Sequence, residues 1–154
     1  MVPFRKKIRL YKFNYQNTSN VCSLTLCAAN QKKVFANEEF VKECIELLKE
    51  YSRAKAISIY AYCFMPDHLH LLVSPSAEKD LISFVREIKS LSTKIGWKYG
   101  IKSAFWQRSF YDHFLRKEEA IKKVAQYILC NPVRKGIVSD WHEYPYCGSF
   151  VWDL

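Results

Sequence analysis

Two β-prone runs divided by one short break constrain this chain more than any other feature. Residues 56–65 are rich in Ile, Tyr and Phe, Pro66-Asp67 interrupts them, and His68 to Ser74 resumes the extended pattern. Two such runs either side of a turn dipeptide predict a β-hairpin. Upstream, residues 20–28 alternate as a strand does. From Asn37 to Tyr51, Phe40, Val41, Cys44, Ile45, Leu47 and Leu48 follow a helical period, with Asn37 placed as N-cap and two glutamates in the first turn. Downstream, Lys79 to Lys98 carries Leu81, Phe84, Val85, Ile88, Leu91 and Ile95 on one stripe, and the aromatic residues 104–115 predict a fourth strand.

The order β-α-β-β-α-β predicts an α+β fold of the ferredoxin-like kind, a four-stranded antiparallel sheet with two helices on one face. A further helix begins near Lys117 and approaches its end around Asn131, because Pro132 disfavours helical geometry in the residue before it. No repeat, low-complexity tract or seam divides the 154 residues, so a single domain over 1–154 is expected. A chain of this size buries roughly 68–70% of its unfolded surface.

The net charge of +9 concerns partners, because a positive field attracts polyanions. The charges are spread along the chain and form no concentrated basic amphipathic helix, which favours nucleic acid over a membrane surface. No run reaches the ~18 apolar residues of a membrane span. The basic start has no apolar signal core behind it. Six cysteines without a C-x-x-C pair or regular spacing predict reduced thiols, hence a cytoplasmic protein.

The chemistry-bearing residues lie in two segments. His68 and His70 leave the same face of the third strand, while Leu69, Leu71 and Val73 point to the other. Two imidazoles so placed can hold one divalent metal, and two surface histidines on a half-exposed strand would look the same. Cys63 as a third, zinc-type ligand lacks the paired cysteines such sites use. In the last helix Tyr127 and Asn131 stand one turn apart on a shared face. A phenol oxygen can attack phosphorus when held in line, and an amide oxygen suits magnesium or manganese. The same spacing also fits a packing tyrosine and a helix-end cap.

Three blocks in order carry a resemblance. They are Met65-Pro-Asp-His-Leu-His-Leu-Leu-Val, Trp106-Gln-Arg-Ser-Phe-Tyr-Asp-His113-Phe-Leu-Arg and Tyr127-Ile-Leu-Cys-Asn-Pro-Val-Arg-Lys-Gly-Ile-Val. Together they resemble the insertion-sequence-200-like transposases, specifically their REP-associated tyrosine branch, within the single-tyrosine HUH endonucleases. The resemblance runs from roughly residue 20 to 147, loosely around Cys22 to Asn30. It implies that His68 and His70 bind a divalent metal (Mg or Mn), that Asn131 is the third ligand, and that Tyr127 is the nucleophile. Asp67 departs from the asparagine usual before the first histidine, and its carboxylate would lie near the metal.

The implied activity is nicking and joining of single-stranded or hairpin-containing repeat DNA through a 5′-phosphotyrosine intermediate. Arg86, Lys89, Lys94, Arg108, Arg116, Arg134 and Lys135 are the expected DNA-binding cations. Phe105, Trp106, Phe110 and Tyr111 read either as base-stacking residues or as core. His113 reads as a structural, hydrogen-bonded histidine. A non-catalytic DNA- or RNA-binding module of the same fold and a metal hydrolase using activated water are the competing readings. A monomer and a homodimer that shares its tyrosine helix are both compatible with the sequence.

Overall fold

The computed structural model describes residues 20–115 and 118–154. Its elements are β1 (Val21–Cys27), α1 (Glu38–Lys55), β2 (Ser58–Met65), β3 (His68–Ser74), α2 (Leu81–Trp97), β4 (Tyr111–Leu115), α3 (Glu118–Leu129), α4 (Asn131–Arg134) and β5 (Cys147–Gly148). The strands form one antiparallel sheet in the order β4-β1-β3-β2-β5. The expected α+β chain order is present. A fifth strand, not anticipated, extends the sheet beside β2, and two residues are too few to leave a periodic signal.

Local chemistry explains the main boundaries. Asn37 Oδ1 accepts the Phe40 N–H at 3.1 Å and opens α1, which stops where Ala56 turns left-handed at φ 55°. Asp80 caps α2 through Ser83 N at 2.8 Å. Pro66 and Asp67 form the two-residue connection between Met65 and His68, which pair directly.

The fourth strand is shorter than the aromatic run suggested. Phe105, Trp106 and Phe110 are buried in the core from a loop, and Trp106 Nε1 donates to Ser92 Oγ at 2.8 Å. Aromatic content resembles strand propensity here because both answer to burial. These three rings are therefore core and not a base-stacking surface; of the four aromatics considered, Tyr111 is the partly exposed one.

Strand alternation gives the sheet two different faces. On one, Phe40, Val41, Cys44 and Leu48 of α1 and Leu81, Phe84, Val85 and Ile88 of α2 pack on Leu24, Ile59, Phe64, Leu69, Leu71 and Val73. On the other, Ala125, Ile128 and Leu129 of α3 cover Ala61, Cys63, Met65 and Leu72. The two-helix face is as expected, and the tyrosine helix takes the opposite one. Among the described residues no helix is long and apolar enough to cross a membrane.

Stability is thus concentrated on the α1/α2 side. Phe84 is fully buried against the Tyr51 ring, centroids 5.5 Å apart. Phe84→Ala should cost about 3–5 kcal/mol in urea unfolding. Tyr127→Phe, at a residue 62% exposed, should change stability by no more than about 0.5 kcal/mol.

Candidate active site

Position on β3 determines which side chains can meet. His68 and His70 stand on the α3 face, with Leu72 continuing their row into the apolar cluster beneath α3. Their rings lie edge to face, and His68 Nε2 is 3.0 Å from His70 Nε2. Each outer nitrogen has its own partner. His68 Nδ1 meets Asp67 Oδ1 at 2.6 Å, and His70 Nδ1 meets Thr25 Oγ1 at 3.1 Å across the β1–β3 pair.

These contacts restrict where the protons sit. An ionised carboxylate only accepts, so His68 carries its proton on Nδ1 and turns a lone pair inward from Nε2. A threonine hydroxyl either donates or accepts. With Thr25 donating, His70 holds its proton on Nε2 and gives it to His68, which satisfies every group without a cation. With Thr25 accepting, both Nε2 lone pairs converge on one point. Two lone pairs 3.0 Å apart repel unless a cation takes both. Burial, aided by the neighbouring His68, Arg134 and Lys135, pushes the His70 pKa down to about 3. His70 is therefore neutral near pH 7, the form that ligates metals.

Asn131 and Tyr127 approach from the opposite wall. Helix α3 ends at Leu129, Cys130 leaves helical geometry with ψ 3°, and Asn131 and Pro132 begin the single turn α4. Asn131 is 6% exposed, and its amide nitrogen meets no hydrogen-bond partner among the described residues. A buried amide left open in the cleft that His68 and His70 also line fits a cation taken by the amide oxygen after the side chain turns over. The Asn131 side chain makes no capping hydrogen bond among the described residues, and neither does Cys130, the N-cap of α4. The donor set of two imidazoles and an amide therefore fits a divalent metal.

Tyr127 lies at the other extreme of burial, 62% exposed and with its hydroxyl unbonded among the described residues. A cleft of about 890 Å³ joins it to His68, His70 and Asn131, and is also lined by Thr25, Gln31, Lys33, Asp67, Gln107, Tyr111, Arg134 and Lys135. Lys33, Arg134 and Lys135 give this lining a positive surplus over its one carboxylate, Asp67. Asn30 and Gln31, both at φ 56°, hold the adjacent loop in a left-handed conformation that is costly for side-chain-bearing residues.

The seven expected DNA-binding cations do not gather in one place. Arg134 and Lys135 line the cleft. Arg86 and Lys94 are exposed on α2, the helix across the sheet from it. Lys89, also on α2 and half-buried, is tied to the loop after it: its ammonium donates to Gln107 O at 2.7 Å and Ser109 O at 3.3 Å and lies over the Phe110 ring. Arg108 is exposed beside the lining residue Gln107. Arg116 lies outside the described residues. His113 is exposed on β4, and its ring makes no hydrogen bond among the described residues, so the expected structural role is not what its surroundings provide.

Sequence reasoning missed Thr25, Gln31, Lys33 and Gln107. Each reaches the cleft through strand register or loop path; Gln107 lies inside the second block, and no local motif marks the other three. Lys33, in a Lys32-Lys33 pair in the loop that follows the first strand, carries the nearest thing to a signal.

A family model described as "Transposase IS200 like" matches residues 18–131. A protein of Haemophilus influenzae named as a REP-associated tyrosine transposase is 27% identical over 128 residues, 75% of this chain and 72% of its own. The REP-associated tyrosine transposase of Escherichia coli K12 is 30% identical over 95 residues, 61% of this chain; the match spans 55% of that longer relative. Among solved structures, a REP-associated tyrosine transposase bound to a REP hairpin superposes with a TM-score of 0.69 at 23% identity, over 96% of this chain and 82% of that one. A transposase of Deinococcus radiodurans superposes with a TM-score of 0.53 at 19% identity, over 80% and 95% of the two chains. At these identities the structures establish a shared fold.

Proposed function

The chain belongs to the IS200-like transposase family, and from that membership we propose that it nicks and joins single-stranded or hairpin DNA through a 5′-phosphotyrosine link on Tyr127. Membership makes it a DNA-cleaving and joining enzyme of transposition; the strand, the link and the metal are the proposal. One observation carries it: a single cleft gathers Tyr127, His68, His70 and Asn131 from three different elements.

The residues divide the work. A phosphate drawn to the lining cations Lys33 and Lys135 would lie between the Tyr127 phenol and the histidine pair. Tyr127 Oη attacks phosphorus, the new O–P bond forms as the bond to the 3′ oxygen breaks, the phenol loses its proton, and the departing 3′ oxygen gains one. A magnesium or manganese ion held by His68, His70 and Asn131 would supply Lewis-acid neutralisation of the phosphate oxygens. Asp67 and Thr25 keep the imidazoles aimed. The tyrosyl ester conserves the phosphodiester bond energy, so a second 3′-hydroxyl can reverse the step and join new ends. A hydrolase using activated water would have no use for Tyr127. In a purely binding module the tyrosine would more naturally be packed, yet it is 62% exposed.

A hairpin-containing DNA partner is supported by the related protein whose structure holds a REP hairpin. The cleft adds Tyr111, Gln31 and Gln107, side chains suited to unpaired bases. Binding should therefore favour hairpin or single-stranded DNA over blunt duplex at matched salt, and weaken steeply as salt rises. Equal or tighter duplex binding in fluorescence anisotropy would contradict the single-strand assignment.

Covalent trapping tests the chemistry. With single-stranded DNA from its own locus and manganese, the protein should form an adduct resistant to denaturant. Tyr127→Phe should bind that DNA and form no adduct, and His68→Ala with His70→Ala should abolish metal-dependent cleavage. Asn131→Ala should keep a residue of activity that rises with manganese concentration, since mass action refills a weakened site. Adduct from Tyr127→Phe would overturn the proposal.

The support beneath the histidines makes a separate prediction. Asp67→Ala should weaken manganese binding by about 10–100-fold in calorimetry. Asp67→Asn should weaken it less, because an amide oxygen can still accept the His68 Nδ1 proton.

A further inference from the structure

We propose that Arg134 is the positioning residue of the nucleophile: it clamps the Tyr127 ring and so aims the phenol oxygen into the cleft. The inference rests on Tyr127 as nucleophile and adds what holds it in place. The guanidinium carbon lies 3.6 Å from the centre of the Tyr127 ring, and Nη1 donates to the Tyr127 carbonyl oxygen at 2.7 Å. One side chain thus grips both the ring and the backbone of the same residue.

The grip is a product of the helix break. In an uninterrupted helix, residues seven apart share a face but are separated by about 10.5 Å along the axis. Cys130 leaves helical geometry, Pro132 lacks the N–H that would continue the ladder, and α4 restarts for one turn. That detour brings Arg134 back over Tyr127.

The grip also answers a need. Tyr127 is 62% exposed, and among the described residues no group holds its hydroxyl. Unclamped, a ring at an exposed helix end rotates among rotamers, whereas in-line attack tolerates little displacement. A planar guanidinium stacks on a ring face as an ammonium cannot, so lysine is a poor substitute. The rival role is a plain phosphate contact, which would act on DNA affinity.

Single-turnover adduct formation at saturating DNA and manganese separates the two. Arg134→Ala should lower the rate about 100-fold while DNA Kd and its salt dependence stay close to those of the unmodified protein. Arg134→Lys, which keeps the charge, should be nearly as slow, and millimolar guanidinium should partly rescue the alanine variant. A readout free of catalysis accompanies these: 3-fluorotyrosine at position 127 should give a shifted, broadened 19F signal in the unmodified protein and a narrow, solvent-like one in Arg134→Ala. An unchanged saturated rate with weakened DNA binding and a salt slope reduced by about one ion would overturn the clamp and leave the transferase reading intact. Absence of adduct from the unmodified protein would instead overturn that reading, and the clamp with it.

Discussion

The cleft depends on β3 being hydrogen-bonded along both edges, to β1 and to β2. A strand held on both sides cannot slip by one residue without moving Leu69, Leu71 and Val73 out of the α1/α2 core, where all three are fully buried. The alternate residues are therefore committed to the opposite face. The aim of His68 and His70 is a consequence of the apolar pattern behind them, and the same pairing places Thr25 directly across from His70.

That dependence explains which features were legible in the sequence. The hairpin, the two long helices and the shared face of His68 and His70 follow from local periodicity, and the structure has them within a few residues of the expected bounds. Local periodicity says which residues a helix buries and not which side of the sheet it covers. Arg86 and Lys94, expected in one DNA-binding set with Arg134 and Lys135, belong to the helix on the other face. Thr25 was invisible because its partner lies 45 positions away and only the register brings them together. Phe105 and Trp106 carry the composition of a strand while lying outside β4, because burial and strand propensity leave the same composition.

The two faces also separate stability from chemistry. Bulky side chains of α1 and α2 fill one side, while α3 presents Ala125, Ile128 and Leu129 to a smaller cluster. Beyond Leu129 the helix breaks, and the sheet surface at the start of β3 is left to the cleft. Polar and exposed residues are tolerated there because the fold does not rely on them for its apolar burial. The half-covered face is what allows one tyrosine to stay in solvent while an asparagine four residues later is buried beside the histidines.

The turn between β2 and β3 resolves the meaning of Asp67. Neighbouring residues within a strand point to opposite faces, so a carboxylate one position before His68 would ordinarily be unable to reach its ring. Asp67 precedes the strand, in the connection, where alternation does not apply, and its Oδ1 comes within 2.6 Å of His68 Nδ1. The carboxylate then occupies the outer nitrogen and turns the inner one toward His70. Were His68 to hold a metal, Asp67 would support that ligand, and an amide oxygen could serve in the same position.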